Sequence, residues 1–165
     1  MKRLSFVALA MLLTVGGAAS AKDLVETAKA AGQFSILLKA ATAVGLDKTL
    51  AQPGPYAVFA PTDAAFNALP PGMLQMRMKP ENKDLLMQVL GYHTLFGRLT
   101  TQYLKDDKSA AQATNGQAVI LEKKKADGVT ANEAKIVTPD IAADNGVIHV
   151  IDKVLLPAKP VQPKT

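Results

Sequence analysis

The segment covering residues 147–156 constrains the fold most, because it has the clearest strand pattern in the chain. Side chains alternate between the two faces of a strand, and here both faces are largely apolar. A strand of this kind belongs in the centre of a sheet that is covered on both sides. His149 and Asp152 lie within the segment, so we expect both side chains to be buried and to have hydrogen-bond partners.

Helical and strand patterns occupy different halves of the chain. In the first half, two segments carry apolar residues at helical spacing, and Gly45 follows one of them as a suitable helix end. In the second half, Asn115-Gly116, Asp127-Gly128 and Asn145-Gly146 are turn signals between short apolar runs, and we expect positive φ angles at Asn145-Gly146. This segregation predicts an α+β fold. The two helical faces consist of Phe34, Leu37, Leu38, Ala41 and Val44, and of Leu86, Val89, Leu90 and His93.

One strand is also predicted in the helical half, at residues 56–60. Pro61 ends this strand, and a short helix is predicted at residues 64–69. Thr62 or Asp63 is expected to accept hydrogen bonds from the first free amides of that helix. Further along the chain, residues 100–103 are predicted to be extended.

The N-terminal residues have the pattern of a secretory signal peptide. Lys2-Arg3 precedes an apolar run over residues 4–15, and Ala19-Ser20-Ala21 fits the small-x-small rule for cleavage before Lys22. The apolar run is shorter than the roughly 20 residues that a membrane-spanning helix needs. We therefore predict residues 1–21 as a signal peptide. The processed chain would be exported to the periplasm or the extracellular space, with no stable membrane insertion.

Composition excludes several classes of protein. The chain has no Cys, which rules out disulfides, zinc–thiolate sites and iron–sulfur clusters. Its formal net charge is +5, but part of the basic excess lies near the N-terminus and in residues 158–165, which are predicted as a flexible tail. No basic stripe with interleaved aromatic residues occurs, so we predict no nucleic-acid partner. The run Lys123-Lys124-Lys125 is interpreted as the solvated end of a hairpin.

Candidate catalytic groups are few. After the predicted cleavage the chain keeps two serines, Ser35 and Ser109, and neither lies in a nucleophile elbow. His93 and His149 have no metal-ligand spacing around them. The carboxylates are scattered, and no glycine-rich phosphate loop is present. We therefore predict that the protein is not an enzyme and has no cofactor.

Two segments and one residue pair resemble the fasciclin domain. The segments are residues 58–66, VFAPTDAAF, and residues 145–157, NGVIHVIDKVLLP, with Tyr92-His93 between them. Two long segments in register are more specific than a short motif. The resemblance covers the domain predicted at residues 22–157. It implies a wedge-like α+β fold with a two-sheet β-core and helices packed on one side. It also implies a role in adhesion or matrix contact outside the cytoplasm.

Most signature residues of this family are expected to serve folding. Thr62 and Asp63 are interpreted as helix caps, whose loss costs about 1 kcal/mol. His149 is interpreted as a core histidine with hydrogen-bond partners rather than as a chemical group. The structural signature comprises Phe59, Pro61, Thr62, Asp63, Phe66, Asn145, Gly146, His149 and Asp152.

The same resemblance implies a partner-binding site. In animal fasciclin domains, adhesive segments lie around the Tyr-His pair and around a Pro-Asp-Ile sequence. The partner would be a cell-surface or matrix protein or polysaccharide. The alternative is that Tyr92 and His93 join the core, where a half-polar Tyr suits an edge, and that residues 139–141 are an ordinary loop that enters a strand. The matching residues in this chain are Tyr92, His93, Leu95, Pro139, Asp140 and Ile141.

A second hypothesis is a periplasmic protein that binds a small ligand or Cu(I). Met73, Met76 and Met78 offer thioethers that suit Cu(I), with His93 as a fourth ligand if the fold brings it close. Otherwise Met73 and Met76 would fill the core. A small ligand would occupy a pocket between helices and sheet. A large, apolar, partly open cavity would favour this function, and a solid core would favour adhesion.

Overall fold

The computed structural model describes residues 22–104, 108–124 and 128–157. The predicted signal peptide, the predicted tail, Lys125 and the Asp127 side of the Asp127-Gly128 turn lie outside these residues. The helices are α1 (Leu24–Ala31), α2 (Ser35–Val44), α3 (Leu46–Leu50), α4 (Asp63–Asn67), α5 (Met73–Arg77) and α6 (Lys83–Tyr92), with 3₁₀ turns at Pro80–Asn82 and Thr101–Tyr103. The strands are β1 (Tyr56–Pro61), β2 (Thr94–Phe96), β3 (Lys108–Gln112), β4 (Ala118–Lys124), β5 (Gly128–Ala131), β6 (Ala134–Ala143) and β7 (Gly146–Ile151).

The strands of the described residues follow the order β2-β1-β7-β6-β5-β4-β3. Strand β7 pairs in parallel with β1 and antiparallel with β6, and its residues are buried on both faces. The predicted central strand is therefore confirmed. It ends at Ile151 rather than at residue 156, because the chain bends at Asp152 and Lys153, which are exposed.

Strand β6 joins the two halves of the sheet. Its first residues pair with β5 and the remainder pairs with β7, with irregular register on both sides of Thr138. The far edges of the sheet meet where Leu95 bridges Ala113 and where the Thr114 N–H donates to the Thr94 carbonyl at 2.8 Å. The sheet thus curls into a near-barrel with helices along one side. This architecture confirms the predicted α+β wedge.

The core has two parts, which lie on opposite faces of β1. The helix-side core lies between the helices and the sheet and includes Phe34 and Val58. The barrel core is enclosed by the curled sheet and includes Phe59 and Leu121. Burial of each large apolar side chain contributes about 1.5–3 kcal/mol. Packing on both faces of the sheet therefore stabilises a chain that has no Cys.

The predicted helical faces are confirmed. Along α2 the apolar face is buried, apart from a partly buried Leu38, and Gly45 takes a φ angle of 78° after the last turn. Along α6, Leu86, Val89 and Leu90 are buried. These two helices are ten residues long. Within the described residues, no helix combines the length and the apolar character that crossing a membrane requires.

Candidate functional site

Thr62 and Asp63 cap two different helices. The Thr62 hydroxyl accepts a hydrogen bond from the Ala65 N–H at 3.3 Å and caps α4, which is shorter than the helix predicted at residues 64–69. The Asp63 carboxylate accepts hydrogen bonds from the Ile36 N–H at 2.8 Å and the Ser35 N–H at 3.3 Å. Asp63 therefore caps α2 and fixes that helix against the end of β1.

The apolar signature residues Phe59, Pro61 and Phe66 are buried. Phe66 packs into the helix-side core. Phe59 packs into the barrel core, where its ring stacks on the His149 imidazole with the ring centroids 5.3 Å apart. Pro61 is the last residue of β1 and pairs with Ile151. These side chains are enclosed and serve packing.

Asn145 ties three segments of the chain together. Its Oδ1 accepts from the Leu24 N–H at 2.9 Å, and its Nδ2 donates to the carbonyls of Leu50 at 2.6 Å and Gln52 at 2.8 Å. The expected left-handed backbone is wrong, because neither Asn145 nor Gly146 has a positive φ angle. The amide group is what this position needs, since it joins the start of α1 and the end of α3 to the β6–β7 turn.

Gly146 allows β1 and β7 to approach each other closely. It pairs with Tyr56 at the start of the parallel ladder. A Cβ atom at Gly146 would overlap the Tyr56 carbonyl and press against the Leu24 side chain. Any side chain at this position would therefore force the two central strands apart.

His149 is a buried histidine with both ring nitrogens hydrogen-bonded. Nε2 lies 2.6 Å from the Leu99 carbonyl, and Nδ1 accepts from the Asp140 N–H at 3.2 Å. Burial lowers the pKa of His149 below its ordinary value of 6.5, and the Leu99 carbonyl and the Asp140 carboxylate oppose this effect in part. The ring is therefore neutral at pH 7.

Asp140 connects β6 to the segment of residues 98–104, which we call the strap. Its backbone is left-handed, with a φ angle of 57°. Its carboxylate accepts hydrogen bonds from the Thr101 N–H at 2.8 Å and from the Thr101 hydroxyl. Oδ1 of the same carboxylate lies 3.8 Å from Nδ1 of His149. The predicted extended conformation of residues 100–103 is wrong, because Thr101–Tyr103 forms a 3₁₀ turn that begins at the residue held by Asp140.

Asp152 is exposed just beyond the end of β7. Its Oδ1 accepts from the Lys135 N–H at 2.8 Å, and its own N–H donates to the Lys135 carbonyl at 3.1 Å. The expectation that Asp152 is buried is wrong, because the strand alternation stops one residue before it. The Asp152 side chain therefore holds the start of β6 next to the end of β7.

Tyr92, His93 and Leu95, which the resemblance implied as partner-binding residues, are buried. The Tyr92 hydroxyl donates to the Ala118 carbonyl at 3.0 Å and accepts from Asn132 Nδ2 at 2.9 Å. His93 and Leu95 are enclosed, whereas Tyr92, which is 6% exposed, reaches the edge of a cleft that Asn132 and Leu155 also line. The placement of Tyr92 and His93 matches the alternative in which these two residues join the core, and Leu95 lies in the barrel core as well.

His93 is held by backbone groups on both sides of its ring. Nδ1 lies 2.7 Å from the Val89 carbonyl, and Nε2 accepts from the Leu155 N–H at 2.9 Å. Burial lowers the pKa of His93 to about 4, against a smaller opposite effect of the bond to Val89. Both nitrogens are occupied, so His93 is not free to bind a metal.

Pro139 and Asp140 are exposed and Ile141 is half-buried, so this implied segment does reach the surface. Here the strap and β6 face each other across a cleft of about 320 Å³. Tyr103 is 70% exposed and Val137 is 58% exposed. The cleft is lined by Thr101, Gln102, Lys123, Gly128, Val129, Ile136 and Pro139. We define the contact surface as Gln102, Tyr103, Val137, Pro139 and Asp140.

The sequence predictions missed Tyr103 and Val137. Tyr103 lies in a polar stretch, outside every predicted apolar face, which is a usable signal for an exposed aromatic residue. Val137 precedes Thr138-Pro139, and a proline inside a strand indicates an irregular edge. Neither signal shows that the two residues follow Gln102 and Ile136, which line the cleft.

The three methionines do not form a closed site with His93. Met73 and Met78 are half-buried, and Met76 is 49% exposed, so Met76 does not fill the core as the packing alternative expected. Within the described residues, no cluster of three or more His, Asp or Glu side chains could hold a metal ion. His93 is therefore excluded as the fourth Cu(I) ligand, and only the thioethers of Met73, Met76 and Met78 remain as candidate ligands.

A small cavity lies between α1, α2, α3 and the sheet. Its volume is about 30 Å³, and its lining is almost entirely apolar, with Asp47 among the lining residues. Oδ1 of Asp47 is buried without a hydrogen-bond partner. A single water molecule occupies about this volume in the liquid. The cavity is too small to favour binding of a small organic ligand in this conformation.

The near-barrel wedge and the two signature segments define a fasciclin domain. The sequence model of the Fasciclin domain matches residues 32–157, and the chain belongs to this family. Protein sll1483 from Synechocystis sp. is 42% identical to it over 139 residues, which cover 84% of this chain and 75% of that protein. Human periostin is 31% identical over 137 residues, which cover 83% of this chain and 16% of periostin.

A solved structure shares the fold. It is a FAS1 domain pair from the insect cell adhesion molecule Fasciclin I, with a TM-score of 0.50 and 21% sequence identity. The match covers 78% of this chain and 45% of that chain. The protein therefore has a FAS1-like fold and spans about half of the solved domain pair.

Proposed function

We propose that this protein is a non-catalytic fasciclin-domain protein that is exported and mediates adhesion by contact with a cell-surface or matrix protein or polysaccharide. The observation that carries the proposal is the direction of the signature side chains. Asp63, Asn145 and His149 hold backbone groups of the fold. The side chains of Tyr103 and Val137, by contrast, are exposed to solvent. The contact surface is the place where a partner would bind.

The related proteins support adhesion in general terms. The solved structure with the same fold comes from a cell adhesion molecule. An exposed Tyr beside a cleft suits such a role, because aromatic side chains supply much of the binding energy at protein interfaces.

The positions of the histidines and serines support a non-catalytic role. Both rings are bound by backbone groups, as described above. Ser35 begins α2, where its N–H donates to Asp63, and Ser109 pairs with Leu121 inside the sheet. Neither serine has a histidine among its hydrogen-bond partners in the described part of the chain.

Export is supported by the charged and apolar pattern of residues 1–21. N-terminal sequencing of the protein recovered from the periplasm or the medium tests it. We expect the recovered chain to begin at Lys22. A recovered chain that keeps its first residues, or protein found in the cytoplasm alone, would contradict this part of the proposal.

Adhesion is tested by measuring binding of the processed protein to immobilised envelope and matrix fractions. Protein and polysaccharide fractions are tested separately, at about pH 7.5. The test variant is the double substitution Tyr103→Ser/Val137→Ser, which removes exposed apolar area and leaves the core intact. The matched control is Phe96→Ser, since Phe96 is 65% exposed and lies on β2.

We expect wild type and Phe96→Ser to bind one class of fraction equally, and the double variant to bind about tenfold more weakly, a loss of about 1.4 kcal/mol. Equal binding by all three proteins would show that the binding site lies outside the contact surface. No binding of wild type to any fraction, together with unchanged attachment of a deletion strain, would count against adhesion itself.

A further inference from the structure

His149 links the strap to β6 through both ring nitrogens. Nε2 contacts the Leu99 carbonyl in the strap, and Nδ1 contacts the Asp140 N–H in β6. The Asp140 carboxylate completes the connection by binding Thr101. The two halves of the contact surface are therefore joined at one buried imidazole.

The hydrogen bonds define where the proton sits on the ring. A carbonyl can only accept, so Nε2 carries a proton, and a backbone N–H can only donate, so Nδ1 carries none. The neutral ring satisfies both neighbours. Protonation of Nδ1 would turn two N–H groups toward each other and would leave the Asp140 N–H without its acceptor. A buried donor in that state is costly.

We propose that His149 is an acid-operated latch for the contact surface. At neutral pH the uncharged ring links the strap to β6, and protonation of Nδ1 breaks this link at the Asp140 N–H, while Nε2 keeps its bond to the Leu99 carbonyl. The latch would regulate the surface named in the proposed function, and its biological use rests on that function.

Groups from three elements face the His149 ring. Within the described residues, the charged group that faces the ring is the Asp140 carboxylate on β6, 3.8 Å from Nδ1. From β1 the ring meets Phe59, and from the strap it meets the Leu99 carbonyl. Arg98 in the strap directs its guanidinium to the Ala143 carbonyl at 2.6 Å. Burial lowers the pKa of His149, so the latch is closed at pH 7.

Release is expected to be local. A protonated ring can donate to the Asp140 carboxylate, whose side chain is 35% exposed, and then competes with Thr101 for the same oxygen atoms. The β6–β7 register is already irregular between Thr138 and Ile141. The Asp140 backbone can therefore shift without unpairing the rest of the two strands.

An NMR titration of the processed protein from about pH 7.5 to about pH 4 tests the latch. We expect amide protection at Thr101 and Asp140 to fall about tenfold, with the same midpoint as the His149 ring signals and below the ordinary histidine pKa. The Ile36 and Ala65 amides, which are capped elsewhere, should keep their protection. A ring that titrates while the Thr101 and Asp140 amides stay protected would overturn the proposal. So would a ring that stays neutral until the whole protein unfolds.

The variant Asp140→Asn checks the coupling without removing the ring. It keeps an acceptor for Thr101 and the backbone N–H, but it removes the negative charge. We expect the His149 midpoint to move to lower pH, because the imidazolium loses its stabilising neighbour. An unchanged midpoint would show that the two residues are not coupled. His149→Gln, if folded, should abolish the transition at the Thr101 and Asp140 amides, and a transition that persists would contradict the latch.

The two proposals fail in different experiments. The titration contains no partner, so its failure leaves the proposed function standing. The binding assay runs at about pH 7.5, where the latch is closed, so its failure leaves the latch standing.

Discussion

His93 and His149 are both buried, but they are bonded to different parts of the molecule. Their exposed fractions are 1% and 2%. His93 carries its proton on Nδ1, and its partners belong to α6 and to Leu155, inside the protein. His149 carries its proton on Nε2, and its partners belong to the strap and to the irregular part of β6, next to solvent.

The comparison shows that burial of a histidine determines its pKa, whereas its hydrogen-bond partners determine which region depends on it. Burial sets how unfavourable the charged ring is, and it lowers the pKa of both histidines. Bonding sets which part of the molecule is disturbed when the ring is charged or removed. We therefore expect changes at His93 to affect the whole fold, and changes at His149 to affect the contact surface.

The largest effect is expected for His93→Ala. The substitution leaves a cavity beside α6 and removes the acceptor of the Leu155 N–H. We expect a loss of about 3–5 kcal/mol in the free energy of unfolding. Urea denaturation at about pH 7 measures it. A loss below about 1 kcal/mol would show that the ring is not part of a tightly packed core.

The second-largest effect is expected on lowering the pH, which should decrease the free energy of unfolding. The pKa of His93 is about 4 in the folded protein and about 6.5 in the unfolded chain. Between these values the unfolded chain binds more protons, so stability falls as the pH falls. From pH 7 to pH 4 this amounts to about 3 kcal/mol. The same measurement on His93→Gln isolates the histidine from the carboxylates, and an equal decrease in both proteins would refute the assignment.

A smaller effect is expected for Asp140→Ala. The variant removes the hydrogen bonds to Thr101 at a partly exposed site, and we expect a cost of about 1 kcal/mol. Hydrogen exchange should be faster at the strap than in α6. Asp144→Ala is the matched control, because Asp144 is an exposed carboxylate in the β6–β7 turn. If hydrogen exchange became faster to the same extent throughout the molecule, Asp140 would stabilise the whole fold, as we expect for His93, and not the contact surface alone.

The smallest effect is expected for Asp152→Ala, about 0.5–1 kcal/mol, because the side chain is exposed and makes one hydrogen bond to Lys135. Thermal unfolding is sufficient to measure it. A loss of several kcal/mol would be typical of a buried carboxylate and would restore the original expectation from strand alternation.

Local features of this fold could be predicted from the sequence. The Gly45 helix end, the Thr62 cap and the central strand each depend on a few neighbouring residues. The Asp63 and Asn145 contacts could not be predicted in this way. Asp63 binds Ile36, and Asn145 binds Leu50 from 95 positions away, and such partners are defined only when the chain has folded.

The candidate site was harder to predict than the fold. Residues 139–141 do reach the surface, but Tyr92 and His93 do not. A sequence pattern identifies a half-polar Tyr without showing which of its ends meets water. The strap was missed because Thr101–Tyr103 is held by Asp140, from a different strand.

Strand β1 cannot complete its pairing until β7 has been synthesised. Its parallel partner β7 lies close to the end of the domain, so the centre of the sheet stays open until residues 146–151 are available. Pairings between such distant segments slow folding. If the chain is exported as proposed above, slow folding helps to keep it extended until it has crossed the membrane. Under the proposed export, the sheet would close only after β7 has crossed the membrane.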